Sequence, residues 1–542
     1  KDLIIKKNFI DHNKKVFKDF EIKTKNDGKI LVEFNNFLSN HVGFSYLANS
    51  LKKKHKSKIV AYYGNSLLVN SIKPSFFFRI KFFIGKKIGI NFFSIYKSFG
   101  TRDFYYPEFN INLNTKKKRI YKNFLNKVTT LHKLESFKIN SVLVGDLIYD
   151  TYLKLIVIPQ NPSEPTIELN NKEFLSFVEE FIDLFLIWEK YFSENKIKAV
   201  IGTHYSYTLA IPLRLALKNN VETYACSTEV LSKYKKNFFR QNNESFFMKK
   251  IFRMLSKANK KKIIEIAKNR IEKRMNGHYS TDYSFVTKSP FGSIKKKNYL
   301  NKNKKIKVLI ATHAFGDAPH ACGNHLFTDH FQWLKFLTEI APQTNIEWYV
   351  KTHPNFGDHW SPYIKHERYV SRNIIKKSKN MFLLPSDVTH NQLVKEGISA
   401  VFTVHGTVGI DYALFNIPVI NASYCHPSVN YKFNLQPKTI NELKYLILNL
   451  EKKIKNFKIN QSEILECYAI KNVFFSRNWL LQDIDKTIKE IGSYHNLWKT
   501  IFYSYWMKNF SKTADLKIKK EVNEFVYSNR LFLLNNNNIG KF

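Results

Sequence analysis

Apolar and polar positions along the chain follow two rhythms, short apolar runs and longer stretches of helical period, and the two alternate twice over. In the first half, residues 30–34 (ILVEF) read as a strand, Gly43 as part of the turn after it, 44–54 as a helix and 58–63 as the next strand. Residues 140–154 (NSVLVGDLIYDTYLK) place an apolar strand ahead of Gly145, and 200–217 supply another strand, turn and helix. Residues 172–195 have the spacing of a long amphipathic helix, and 248–275 that of a basic helix that Gly277 could stop. A polar, lysine-rich stretch, 295–307, then separates the halves. After it, apolar strand signals at 308–311, 346–351, 381–384, 400–404 and 418–421 alternate with helical patterns, and beyond Pro437 the chain reads as helical.

This pattern predicts an α/β protein of two Rossmann-like domains facing a cleft. The expected divisions are a first domain over 1–294, a linker over 295–307, a second domain over 308–440 and a helical segment over 441–542. Composition sharpens the picture. Apolar residues make up 44% of the 542, which excludes disorder as the main state. Lys plus Arg number 87 against 44 acidic residues, a formal charge of +43, which favours an anionic partner. The four cysteines lie far apart with no CxxC, which excludes a zinc ribbon or a disulfide scaffold and suits a reducing, cytoplasmic setting. No run of about 18 uncharged apolar residues occurs, so no membrane span is expected. Residues 74–96, rich in Phe and Ile, carry Arg79, Lys81, Lys86 and Lys87 among them, a composition suited either to a headgroup layer or to a core helix with snorkelling lysines.

Two segments of the second half carry chemistry. IEWYVKTHPN runs a strand into Lys351, Thr352, His353 and Pro354. AVFTVHGTVGIDYALF runs another strand into His405, Gly406 and Thr407 and then a helix containing Asp411. Gly406 permits close backbone approach, Thr407 stands where an N-cap hydroxyl would, and the helix end favours an anion. Asp411 is placed to reach a ribose hydroxyl. Ligands of open α/β sheets bind beyond the carboxyl ends of the strands, where both segments put their polar residues.

These residues, KTHP followed by HGTVGIDYALFNIPVI, resemble the capsule-polysaccharide biosynthesis glycosyltransferases, including the Kdo transferases, and GDLIYDTYLK is similar to a recurring segment of such proteins. The resemblance implies a GT-B glycosyltransferase with no metal and no cofactor, in which a nucleotide-sugar donor is held by the second domain. His353 would contact the donor phosphate, and Thr407 would bond it. A CMP-sugar of the Kdo or sialic acid kind is the donor implied. A lipid-linked or oligosaccharide acceptor, work at the inner face of the cell membrane and contact with its anionic surface follow from the same resemblance. Thr407-Val408 replaces the pair of hydroxyl residues often found there.

A general base must activate the acceptor hydroxyl. Asp146, at the end of the apolar SVLV, is the expected base at the cleft rim, with Asp150 expected to point away from it and Asp317 of the AFGDAPH loop as the alternative. His313, His320, Cys322, His325, Asp329 and His330 are dense in metal donors. With 324–336 helical, however, His320, His325 and His330 share no face, so no metal site is expected. Asp483 and Asp485 fall in a helical run and read as a solvated face. Other readings are a CDP-polyol phosphotransferase of the teichoic-acid type, a sugar-nucleotide epimerase or a nucleic-acid-binding protein. The last lacks any recognisable binding module, so no nucleic acid is expected.

Overall fold

The computed structural model describes residues 2–18, 28–63, 75–108, 114–203, 205–278, 289–353, 361–475, 479–481 and 483–534. Its thirteen strands are β1 (Lys29–Phe34), β2 (Lys58–Tyr63), β3 (Thr101–Tyr105), β4 (Lys138–Ile139), β5 (Val142–Leu143), β6 (Ile197–Gly202), β7 (Glu222–Cys226), β8 (Leu231–Lys233), β9 (Ile306–Ala311), β10 (Ile346–Lys351), β11 (Met381–Leu383), β12 (Ile398–Thr403) and β13 (Val419–Asn421). One sheet has the order β3-β2-β1-β6-β7-β8 and the other β11-β10-β9-β12-β13. Every pair in both is parallel except β7 with β8. The expected α/β architecture of two Rossmann-like sheets with helices after them is what the chain adopts.

Alternation explains why both faces are covered. Ile30 and Val32 of β1 enter one core while Leu31 enters another, and Ile59 and Ala61 of β2 separate likewise from Val60 and Tyr62. In the second sheet Val308 and Ile310 face one core and Leu309 the other. In each sheet the chain starts centrally, works outward to one side, then returns to add strands on the other. That reversal puts a switch point between β1 and β6, and a second between β9 and β12.

Three local expectations change. Gly43 lies inside the helix Leu38–His55, where a Cβ would meet Cys226 Sγ at 3.1 Å and Trp479 at 3.2 Å; it is required by close packing, not by a turn. The basic helix is two, Met248–Met254 and Lys257–Met275, because Ser256 caps a new start at Asn259 N. The SVLV run forms only the short hairpin β4–β5, outside both large sheets.

The helices after the second sheet divide between the two bodies. Leu443, Leu446, Ile447 and Leu450 join a core of the second sheet. Tyr503, Val522, Phe525 and Val526 complete a core of the first, beside Phe9 of the amino-terminal helix Asp2–Val16. Within the 74–96 segment, residue 74 lies outside the described residues, and 76–88 form a helix. Phe82 is buried, whereas Phe76, Phe77 and Ile88 are 70%, 82% and 66% exposed, with Ile80, Phe83 and Ile84 on the same outer side. Lys86 pairs with Asp103 at 2.8 Å, and Lys81 and Lys87 remain exposed. Among the described residues no helix is long and apolar enough to cross a membrane.

Candidate functional site

The second switch point gathers four imidazoles. β9 ends in Thr312 and His313, and β12 ends in Thr403, Val404 and His405. His313 and His405 stack with ring centroids 4.6 Å apart, and His313 Nε2 lies 3.1 Å from Thr403 Oγ1. Gly406 fits beneath them because a Cβ there would lie 2.8 Å from Thr403 Oγ1 and 3.3 Å from His313 Cε1. His325 and His330 complete the group, with centroids 5.3 Å each from His405. Burial, reinforced by the neighbouring imidazoles, holds His313, His325 and His330 well below the usual histidine range, and burial lowers His405 to about 4. All four are neutral at neutral pH.

The helix expected over 324–336, on which His325 and His330 would share no face, is not what the chain forms. Residues 324–329 are irregular, the helix His330–Ile340 starts only at His330, and His325 forms an isolated bridge with Ser423. That bridge, between residues far apart in the chain, seats His325 against the segment that follows β13, next to β12 in the sheet. Only the density of donors in the loop signalled it.

One strand over, β10 delivers the KTHP segment. Lys351 is buried, which pushes its ammonium down to about 8 against the attraction of Glu367. Glu367, from the helix Ser361–Ile375, accepts from Thr312 Oγ1 at 2.5 Å and from His353 N at 3.1 Å. Burial pushes its carboxyl up to about 7, against those two bonds. It therefore ties the ends of β9 and β10 together, a role no sequence pattern announced. His353 is half-buried, and Pro354 lies outside the described residues. Thr407 is half-buried at the start of the helix Val408–Leu414 and makes no side-chain cap bond.

Two carboxylates sit elsewhere than expected. Asp411 is buried and paired with Arg274, Oδ2 to Nη2 at 3.0 Å, so it clamps the helix Lys257–Met275 and does not face a ribose. Asp146 is 1% exposed instead of at a rim. Arg214 grips both its oxygens at 2.6 and 2.8 Å, and Arg240 adds a contact at 3.2 Å. Burial alone would raise this carboxyl; the two guanidiniums outweigh it and bring it down to about 2. The reason lies in the hairpin: the preceding SVLV never joins the sheet, so Asp146 starts a packed helix, Gly145–Tyr152.

Asp146, Tyr149 and Asp150 share one face of that helix, spaced i, i+3, i+4, so Asp150 does not point away. Tyr149 donates to Asp329 at 2.5 Å, and Asp150 Oδ1 lies 2.6 Å from His320 Nδ1. Burial would lower His320, but Asp150 and Glu135 hold it up, to about 10, as a buried imidazolium. This face is thus a polar strut between the halves. Asp317, by contrast, is exposed in the loop after β9, with Tyr207 OH of the first body 3.4 Å from its Oδ1 and Lys154 Nζ 3.2 Å from that hydroxyl. Asp483 caps the helix Ile484–Ile491 at Lys486 N.

The first switch point differs. Glu33, at the end of β1, accepts from Thr203 N at 2.7 Å, from Thr203 Oγ1 at 2.9 Å and from Asn35 Nδ2 at 3.1 Å.

No family model matches the sequence, and no curated protein matches it. Solved structures similar in part include KpsC of Thermosulfurimonas dismutans, a beta Kdo 2,4 transferase, at 13% identity and TM-score 0.32 over 51% of this chain and 79% of that one. The UDP-GlcNAc 2-epimerase of Neisseria meningitidis bound to UDP-GlcNAc is similar at 9% identity and TM-score 0.24 over 82% of this chain and 99% of that one. HepE of Anabaena, in complex with UDP and glucose, is similar at 11% identity and TM-score 0.24 over 85% and 99%.

Proposed function

We propose that this chain is a glycosyltransferase that moves a sugar from a nucleotide-sugar, of the CMP-Kdo or CMP-sialic acid kind, to a capsule- or lipopolysaccharide-type glycan. The observation that carries the reading is the convergence of three strand ends: Thr312 and His313 after β9, Lys351 to His353 after β10, and Thr403 to Thr407 after β12. Polar residues meeting beyond the carboxyl ends of adjacent parallel strands suit a nucleotide. Lys351, His353, the main chain of His405 and Gly406, and the uncapped Thr407 hydroxyl would hold its phosphates.

Asp317 replaces Asp146 as the general base in this reading. Its carboxylate is exposed, faces Tyr207 and Lys154 of the first body, and so borders the cleft where an acceptor would lie. It would take the acceptor proton as the oxygen attacks the anomeric carbon and the nucleotide phosphate leaves. The helix Phe76–Ile88, with its exposed rings beside Lys81 and Lys87, would rest on an anionic membrane face near lipid-linked acceptors.

Thermal shift with CMP, CDP, UDP and GDP tests the donor, since a ligand bound only by the folded chain raises its melting temperature by mass action. Stabilisation by CMP above the others, with nucleotide released from a CMP-sugar only when acceptor is present, is the expected result. Interconversion of a sugar-nucleotide without acceptor would make the chain an epimerase, and transfer of a polyol phosphate a phosphotransferase; either outcome defeats the proposal.

A further inference from the structure

We propose that His325, His330 and His405 form a binding site for one divalent transition-metal cation of the zinc class, set between the second switch point and the head of the helix His330–Ile340. One nitrogen of each ring lies within 4.8 Å of the others. Imidazole nitrogens around zinc sit about 2.0–2.1 Å from the ion, hence roughly 3.4 Å from one another. An ion held by all three would draw the rings closer by that difference.

Carbonyl partners fix where the proton sits on two of the three rings. A carbonyl oxygen can only accept, so Pro319 O, 2.6 Å from His325 Nε2, fixes the proton there and leaves the lone pair on Nδ1. Ala314 O, 3.4 Å from His330 Nδ1, likewise leaves the lone pair on Nε2. Histidines that bind metals commonly donate their other N–H to a carbonyl in this way. His330 Nε2 and His405 Nδ1 are buried and without a hydrogen-bond partner among the described residues. His325 Nδ1 is 2.8 Å from Ser423 Oγ, a hydroxyl that has Cys425 Sγ at 3.3 Å as an alternative partner when the cation takes the nitrogen.

The chemistry of the set selects the occupant. Three imidazoles from separate parts of the chain converge on one point, a set of nitrogen lone-pair donors that suits a cation. With no carboxylate among the three ligands, the set suits zinc, cobalt, nickel or copper over magnesium or calcium. Three nitrogens leave a further position for an oxygen ligand. The inference goes beyond the donor reading and does not depend on it.

The test uses tag-free full-length chain without nucleotide, so that its outcome is independent of any transferase assay. Elemental analysis of the purified protein should find about one equivalent of zinc-class metal. After chelation, Co²⁺ should titrate to one equivalent with the visible bands of a nitrogen-ligated site and raise the melting temperature. His330→Gln and His405→Gln should each weaken Co²⁺ binding at least tenfold, while His132→Gln, at an exposed surface position, should not. Absence of stoichiometric metal together with no saturable Co²⁺ binding overturns the proposal, as does full binding in both variants or equally tight binding of Mg²⁺. Should either variant fail to fold, the wild-type stoichiometry and Co²⁺ titration decide the matter alone.

Discussion

The two switch points are topological equivalents with opposite chemistry. At the first, Glu33 is buried and its oxygens accept from Thr203 and Asn35, so the crevice is closed by its own hydrogen bonds. At the second, His405 and His330 keep buried nitrogens that have no partner among the described residues, Thr407 makes no side-chain cap bond, and Asp317 stands exposed in the neighbouring loop. The same winding of strands thus ends in a hydrogen-bonded carboxylate at one switch point and in unpartnered imidazole nitrogens at the other. An unmet buried polar group costs about 1–3 kcal/mol, so a fold that keeps several close together leaves them available to a ligand.

The contrast breaks most sharply at Asp317. Asp317→Asn should lower turnover by roughly two to four orders of magnitude while nucleotide affinity stays at the wild-type value. Steady-state kinetics beside a nucleotide titration checks it, and near-normal turnover would remove the base from this loop.

Substitutions among the self-satisfied groups should act on stability instead. Asp146→Ala strands two arginines and should cost about 3–5 kcal/mol in urea unfolding. Glu33→Ala leaves the Thr203 and Asn35 donors unmet and should cost about 3 kcal/mol. Folded Glu33→Ala protein that bound nucleotide normally but had lost turnover would place chemistry at the first switch point and dissolve the contrast.

Acid unfolding sharpens the same point. The Asp146 carboxyl is lowered to about 2 in the fold, against about 3.9 when unfolded. Its contribution is therefore present above about pH 4 and lost as pH falls towards 2, and amounts to about 2–3 kcal/mol. Stability measured from pH 5 to 2 should fall less steeply in Asp146→Ala than in wild type; parallel curves would contradict the buried pair.

Smaller effects should come from the phosphate contacts and the surface helix. Thr407→Ala and His353→Ala should each weaken nucleotide binding roughly ten- to a hundredfold, equivalent to about 1.5–3 kcal/mol, without moving the melting temperature. If both kept full affinity, the second switch point would not be the donor pocket. Lys81→Glu or Lys87→Glu should weaken binding to anionic vesicles by about 1 kcal/mol per removed positive charge, with the difference fading at high salt. Vesicle sedimentation indifferent to both lipid charge and salt would sink membrane contact.

The strands of the second sheet were legible because each is a local apolar run ended by polar residues, and KTHP and HGT fall at the ends of two of them. The histidine group was not. It needs β12 beside β9, and a bridge from His325 to Ser423 that no helical period encodes. Asp146 was misplaced for a related reason: SVLV has the composition of a central strand, but hairpin pairing of Lys138–Ile139 with Val142–Leu143 captures it first. What then surrounds the carboxylate are Arg214 and Arg240, partners that only the tertiary fold supplies. Glu367 left no trace in the pattern, since one carboxylate on a helix reads as a solvated face until the fold buries it.

The return of the late helices to the first core bears on how the chain can be made. Phe9 stacks on Tyr503 with centroids 3.8 Å apart, and Tyr46 donates to Asp515 at 2.8 Å. The first sheet thus emerges from the ribosome early but waits for partners synthesised some 450–500 residues later. Until they arrive, Phe9 and Tyr46 lack the partners, Tyr503 and Asp515, that they meet in the finished molecule. Contacts this distant in sequence close slowly, so the nascent first domain is the natural client for a chaperone, and chains released before these helices should aggregate while full-length chains do not.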